Sequence, residues 1–187
     1  MVVKGLMMTP GSGGSTDHPT FHQLVAELDV PVVLYDFEYH RQGKKSSGRA
    51  DRLIPELEAA AAATAAELGI ELEELALGGR SMGGRVCSMA VAGGLAAAGL
   101  ALLSYPLHPP GKPEKLRVDH WPDISCPTLF VSGPSDPFGN EAEFDEHLET
   151  LGSPATKVWL DSGNHDPRNV AQRGAIVEAV SSWLATI

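Results

Sequence analysis

Gly79-Arg80-Ser81-Met82-Gly83 constrains this chain more than any other stretch of its sequence. An apolar run at 75–77 leads straight into it, and a run of small and apolar residues at 84–98 follows. A serine with glycine two residues before and two residues after it, set between a strand and a helix, describes a turn too tight for side chains at the glycine positions. Such a turn lifts its serine hydroxyl out at the end of a strand. A strand before it and a helix after it are one unit of a sheet whose strands alternate with helices.

The rest of the chain supplies that sheet. Apolar, strand-like runs are predicted at 2–9, 30–37, 75–77, 100–104, 128–132 and 157–160. Helices are predicted between them at 18–28, 51–68, 84–98, 141–151 and 169–185. Alternation of this kind makes an α/β protein, one domain over 1–187, with a six-stranded, mostly parallel sheet and helices on both faces. No long insertion interrupts it, so a lid domain is not expected. The small residues of 84–98 suggest a helix pressed close against the sheet.

Charge and composition exclude several classes. A net charge of −10 argues against nucleic acid and against anionic membrane surfaces, which both need a basic footprint. The two cysteines, Cys87 and Cys126, have neither metal-ligand spacing nor the number of a disulfide framework, and are read as reduced core residues. No signal peptide precedes the first strand, and no apolar run reaches membrane-spanning length, so a cytoplasmic protein is expected. The chain begins almost inside that strand, as in a minimal version of the fold or one lacking a short leader.

A serine hydroxyl attacks a carbonyl only when a base takes its proton and a third group holds the base. The strand-turn-helix around Ser81 resembles the nucleophile elbow of the α/β-hydrolases, whose acid and histidine follow the serine in that order. Asp136, in the turn-rich loop after the fifth strand, then becomes the acid, and His165, just past the sixth, the base. Asp161 and Asp166 are rivals for the acid, lying close to His165 in sequence; His147 falls in a charged helical stretch. For the oxyanion, the N–H of Met82 at the start of the next helix and that of Ser12 in the loop Gly11-Ser12-Gly13-Gly14 are the candidate donors; Pro10 has no N–H to offer. His18, His108 and Arg80 are candidate pocket-lining residues. No metal or other cofactor is implied.

Several further segments are similar to the small α/β-hydrolases related to the testis-expressed hydrolase-like protein and to a subunit of the NSL histone acetyltransferase complex. More distantly the chain resembles dienelactone hydrolase. The likeness runs through Gly11-Ser12-Gly13-Gly14 with His18-Pro19, Tyr35-Asp36-Phe37-Glu38-Tyr39 and Gly78 to Arg85. It continues in Tyr105-Pro106-Leu107-His108-Pro109-Pro110-Gly111-Lys112-Pro113, Asp136-Pro137-Phe138-Gly139 and Gly163-Asn164-His165-Asp166. Pro10 stands where that family usually has histidine, Arg80 where it often has lysine, and Glu38 where it often has proline. The resemblance implies a lidless fold, strand order 2-1-3-4-5-6, and the triad Ser81, Asp136 and His165.

The expected activity is that of a serine hydrolase on a small carboxylic ester or thioester, through an acyl-enzyme, with a small-molecule substrate as partner. A peptidase or an acyltransferase would use the same triad, and a non-catalytic interaction scaffold would keep only the fold. Arg80, Arg85, Lys112 and Arg117 offer positive charge at the site mouth, which would suit a carboxylate-bearing substrate.

Overall fold

Six short apolar strands pair edge to edge in the computed structural model, which describes residues 2–44, 46 and 48–187. In chain order the elements are β1 (Gly5–Thr9), α1 (Pro19–Glu27), β2 (Val32–Leu34), α2 (Glu38–Arg41) and α3 (Ile54–Leu68). Then come β3 (Leu75–Arg80), α4 (Met82–Ala92), β4 (Gly99–Leu103), β5 (Thr128–Ser132), α5 (Glu141–Leu148), β6 (Ala155–Trp159) and α6 (Val170–Leu184). The sheet runs β2-β1-β3-β4-β5-β6, the order expected, and every pairing is parallel.

Successive side chains on a strand point to opposite faces, and each face has its own core. Met7, Leu75, Leu77, Leu100, Leu102 and Phe130 pack on one side with α3, α4 and α5. Leu6, Met8, Ala76, Ala101, Leu129 and Val131 pack on the other with α1 and α6. Strands buried on both faces need no polar alternation, which is why they read as continuous apolar runs.

Element ends differ from the sequence reading for local reasons. β2 keeps three of the eight residues predicted: its pairing with β1 ends at Met8 and Leu34, closed by the Tyr35 N–H on the Met8 carbonyl at 2.9 Å. Phe37 then buries itself and starts the single turn of α2. β3 is longer than predicted and takes in the glycines, since Gly79 pairs with Thr9 on one side and Leu102 on the other. α4 starts at Met82 and stops at Gly93, where a glycine pair ends it six residues early.

The carboxyl ends of β1, β3, β5 and β6 open onto one edge, where the loops meet. The connection from β4 to β5 carries only one turn of 3-10 helix, Trp121–Asp123, over a buried cluster of Tyr105, Trp121, Phe130 and Phe144. Tyr105 donates its hydroxyl to the Arg117 carbonyl at 2.7 Å, fixing the outer part of that connection to the core.

Candidate active site

Ser81 joins two hydrogen-bonding systems. Its N–H donates to Leu103 of β4 at 2.8 Å, as a strand residue would, and its carbonyl accepts from Arg85 of α4 at 3.1 Å, as a helix residue would. Bridging the two costs strain: Ser81 has φ 52° and ψ −118°, outside the regions a side chain prefers. The turn closes only because its glycines lack side chains. A Cβ on Gly79 would stand 2.5 Å from Gly84 N, and one on Gly83 would stand 2.5 Å from the Pro10 carbonyl oxygen.

Three side chains far apart in sequence meet over this turn. His165 Nε2 lies 2.7 Å from Ser81 Oγ, and His165 Nδ1 lies 2.8 Å from Asp136 Oδ2 and 3.0 Å from Oδ1. Asp136 is 6% exposed, and its Oδ1 also accepts the Phe138 N–H at 2.9 Å. An ionised carboxylate only accepts, so Nδ1 must carry the ring proton and Nε2 presents a lone pair to the serine hydroxyl. The Phe138 ring stacks on the imidazole with centroids 4.0 Å apart, holding its plane.

The two loops that bring Asp136 and His165 together touch backbone to backbone. Ser135 N–H donates to the Gly163 carbonyl at 3.0 Å, and a Cβ on Gly133 would be 2.5 Å from that same oxygen. Asp161 stays clear of the imidazole, and Asp166 faces another way. It takes His18 Nε2 at 2.9 Å, Arg80 Nη2 at 2.8 Å and Arg168 Nε at 2.5 Å. Burial alone would raise the Asp166 carboxyl, but the His18 bond and the two guanidinium charges hold it below its ordinary value. Arg80 Nη2 also donates to the His165 carbonyl at 3.0 Å, tying the residue before Ser81 to the loop that carries the histidine.

His18 caps α1, its Nδ1 accepting the Thr20 N–H at 3.2 Å, so Nε2 carries the proton given to Asp166. Burial lowers the pKa of His18 and favours this neutral form. Through Asp166 it fastens the loop after β1 to the loop after β6. In that first loop the Gly14 N–H closes a turn on the Gly11 carbonyl at 3.1 Å, which removes Gly14 from the possible oxyanion donors. The same turn fixes the peptide bearing the Ser12 N–H, while Tyr39 Oη donates to the Ser12 carbonyl at 3.1 Å.

Of the pocket-lining residues expected, His18 and Arg80 border a cavity of ≈ 550 Å³ together with Ser12, Ser81, His165 and Phe138. The two cavities of ≈ 550 and ≈ 250 Å³ that open on Ser81 are not bordered by His108. It is buried beneath the loops, with Nδ1 on the Pro109 carbonyl at 2.9 Å and Nε2 3.4 Å from Glu143 Oε1. Its backbone N–H holds the Phe138 carbonyl at 3.0 Å, so it reaches the site only through Phe138.

Sequence reasoning missed Phe138, Tyr39 and the ion-paired role of Asp166. Asp-Pro-Phe did carry a signal, because an aspartate before proline favours bonding its own backbone two residues on, which is the Asp136–Phe138 contact. Tyr39 and Asp166 had no local signal. Among the described residues no group of three or more potential metal ligands occurs, and no helix is long and apolar enough to cross a membrane.

An all-parallel sheet in this order, with a strained serine turn at the carboxyl end of a central strand, is the architecture of the α/β-hydrolases. The chain belongs to the Alpha/beta hydrolase domain family, whose model matches residues 3–185. Among solved structures it is similar to Est1E from Butyrivibrio proteoclasticus with ferulic acid bound, at 14% identity and TM-score 0.81, covering 99% of this chain and 89% of that one. It is similar to dienelactone hydrolase from Anabaena variabilis at 18% identity and TM-score 0.74, covering 99% and 87%. The type II thioesterase BorB from the borrelidin biosynthetic cluster matches at 18% identity and TM-score 0.69, covering 97% and 93%. Likeness at these identities carries the fold alone.

Proposed function

We propose that the chain is a serine hydrolase that cleaves a small carboxylic ester or thioester through an acyl-enzyme. The observation that carries this reading is the continuous line from Ser81 Oγ through His165 Nε2 and Nδ1 to Asp136, at 2.7 and 2.8 Å. Ser81 is the nucleophile, His165 the general base and then acid, and Asp136 the group that fixes the tautomer and balances the imidazolium. Membership of the Alpha/beta hydrolase domain family supports hydrolysis, and the serine–histidine–aspartate geometry suits attack on an acyl carbon.

In the first half-reaction the Ser81 hydroxyl proton passes to His165 Nε2 as Oγ bonds to the carbonyl carbon. The carbonyl oxygen becomes an oxyanion, for which the Met82 and Ser12 N–H groups are the proposed donors, at the positive end of α4. Collapse breaks the bond to the leaving oxygen or sulfur, and His165 returns the proton to it. Water then repeats the sequence and releases the acid, restoring Ser81. Asp136 stays ionised throughout.

We place the protein in the cytoplasm as a single domain over 1–187. Free Cys87 and Cys126 suit a reducing compartment, and the charge of −10 favours a small-molecule partner over nucleic acid or a membrane surface. The nearer kinship we propose, with the testis-expressed and NSL-subunit hydrolases, rests on the proline-rich segment from Tyr105 to Pro113.

The test is hydrolysis of p-nitrophenyl acetate, butyrate and longer esters, with fluorophosphonate labelling, in wild type and Ser81→Ala. We expect short chains to be preferred and the variant to lose on the order of a thousandfold or more in rate, with no labelling. Unchanged activity in Ser81→Ala excludes Ser81 as nucleophile. Folded wild type that neither hydrolyses nor labels would be a scaffold.

A further inference from the structure

Ser81 opens on a second, smaller cavity of ≈ 250 Å³, walled by Ser12, Met82, Phe138, Arg85 and Arg117. Arg85 stands one helical turn beyond Ser81 on α4, so the helix itself sets its distance from the serine. Arg117 borders the same cavity from the connection between β4 and β5. Its N–H is fixed on the Leu107 carbonyl at 2.9 Å, and its own carbonyl is held by the buried Tyr105 hydroxyl at 2.7 Å.

Among the described residues, no carboxylate pairs with either guanidinium. Arg85 Nε is buried with no hydrogen-bond partner, and Arg117 has one long contact, Nη1 to the Pro106 carbonyl at 3.4 Å. Among the described residues neither takes part in an ion pair; Asp51, near the rim of Arg85, spends both oxygens on Arg49 at 3.0 and 2.7 Å. His120, packed against Arg85, bonds Ser88 Oγ at 2.8 Å; burial and the Arg85 charge push its pKa down to about 4, so it is neutral at pH 7. Burial and the same Arg85 charge lower Arg117 as well. Two cations bordering one cavity, within a chain of net charge −10, form a place that a ligand's negative charge would complete.

Position decides which part of a substrate reaches it. The leaving group must lie beside His165, which hands it a proton, and His165 borders the larger cavity but not the smaller one. The acyl chain therefore extends into the smaller cavity. We propose that this acyl chain ends in a carboxylate bound by Arg85 and Arg117, so that the substrates are half-esters or half-thioesters of short dicarboxylic acids. The cavity falls below the roughly 300 Å³ at which drug-sized ligand sites begin, which suits acids of about four to six carbons. This inference rests on the hydrolase reading above.

The test compares kcat/KM for monoethyl succinate, glutarate and adipate with that for neutral ethyl esters of matched length, and measures glutarate binding to Ser81→Ala by calorimetry. We expect the half-esters to be favoured by about 10- to 100-fold, the worth of a charge-assisted pair. Arg85→Met and Arg117→Met should each cut that preference at least tenfold, and Arg117→Lys should restore part of it. Glutarate binding should disappear in Ser81→Ala carrying both methionines, with folding checked by circular dichroism. Hydrolysis of neutral esters with no preference for half-esters and no glutarate binding overturns the subsite and leaves the hydrolase. Inorganic phosphate binding more tightly than glutarate overturns the carboxylate assignment. Arginine-dependent glutarate binding without hydrolysis or fluorophosphonate labelling overturns the hydrolase and keeps the anion site.

Discussion

Asp136→Asn keeps the shape of the side chain, removes one charge and turns one acceptor into a donor. The surrounding bonds dictate how the amide settles. Phe138 N–H points at the Oδ1 position from 2.9 Å, so the amide oxygen belongs there and the NH2 falls at the Oδ2 position, 2.8 Å from His165 Nδ1. A donor facing Nδ1 forces the ring proton onto Nε2, and His165 can no longer accept the Ser81 proton. The opposite amide orientation sets NH2 against the Phe138 N–H and leaves a buried donor unpaired, at about 1–3 kcal/mol. That orientation supplies the competent tautomer in a fraction of molecules of roughly a fifth to a hundredth. Loss of the carboxylate also removes attraction for the imidazolium, about 4 kcal/mol at about 4 Å with an effective dielectric constant near 20. Together these multiply to a fall of about 4 × 10³- to 10⁵-fold, a range that contains the roughly 10⁴-fold loss for the same change in a serine protease triad. The assay is kcat/KM on p-nitrophenyl acetate at pH 7, with the histidine tautomer read from ring-nitrogen NMR shifts. Activity within tenfold of wild type, or an unmoved Nδ1 proton, would refute the argument.

Gly83→Ala should destabilise the protein by about 3 kcal/mol or more in urea unfolding, because its Cβ would sit 2.5 Å from the Pro10 carbonyl oxygen, which is backbone and cannot turn aside. A loss below 1 kcal/mol would mean that the turn relaxes. His120 has its pKa pushed down to about 4 by burial and then by Arg85, so between pH 6.5 and 4 the unfolded chain binds the extra proton. The stability it contributes is therefore present above pH 6.5 and lost as pH falls toward 4. Wild type should lose about 1–2 kcal/mol more than His120→Gln between pH 7 and 4.5, after allowance for solvent reaching the ring, and parallel curves would count against this.

Local chemistry decided a great deal of this protein. The apolar runs separated by helical segments are enough for a parallel sheet, since a strand buried on both faces needs apolar side chains throughout. Glycines at 79 and 83 around Ser81 determine the turn, because a side chain at either would meet backbone at 2.5 Å. Chain order then pointed to Asp136 and His165. Where elements end was left to tertiary structure: β2 stops when β1 runs out of partners for it, and β3 continues through Gly78 and Gly79 because β1 and β4 lie on both sides. Contacts between residues far apart in sequence were likewise beyond local reading. Nothing near Asp166 in sequence says that it meets His18 and Arg80 rather than the His165 ring, and nothing near His108 says that it is buried beside Pro109 and Glu143. The sequence offered Arg80, Arg85, Lys112 and Arg117 alike as charge at the site mouth; that Arg85 and Arg117 share one cavity is decided by the fold, which holds the backbone of Arg117 on Leu107 and Tyr105. Spacing along the chain sets which groups one turn can bring together, whereas the meeting of loops from different strands is set only when the sheet fixes where each loop begins.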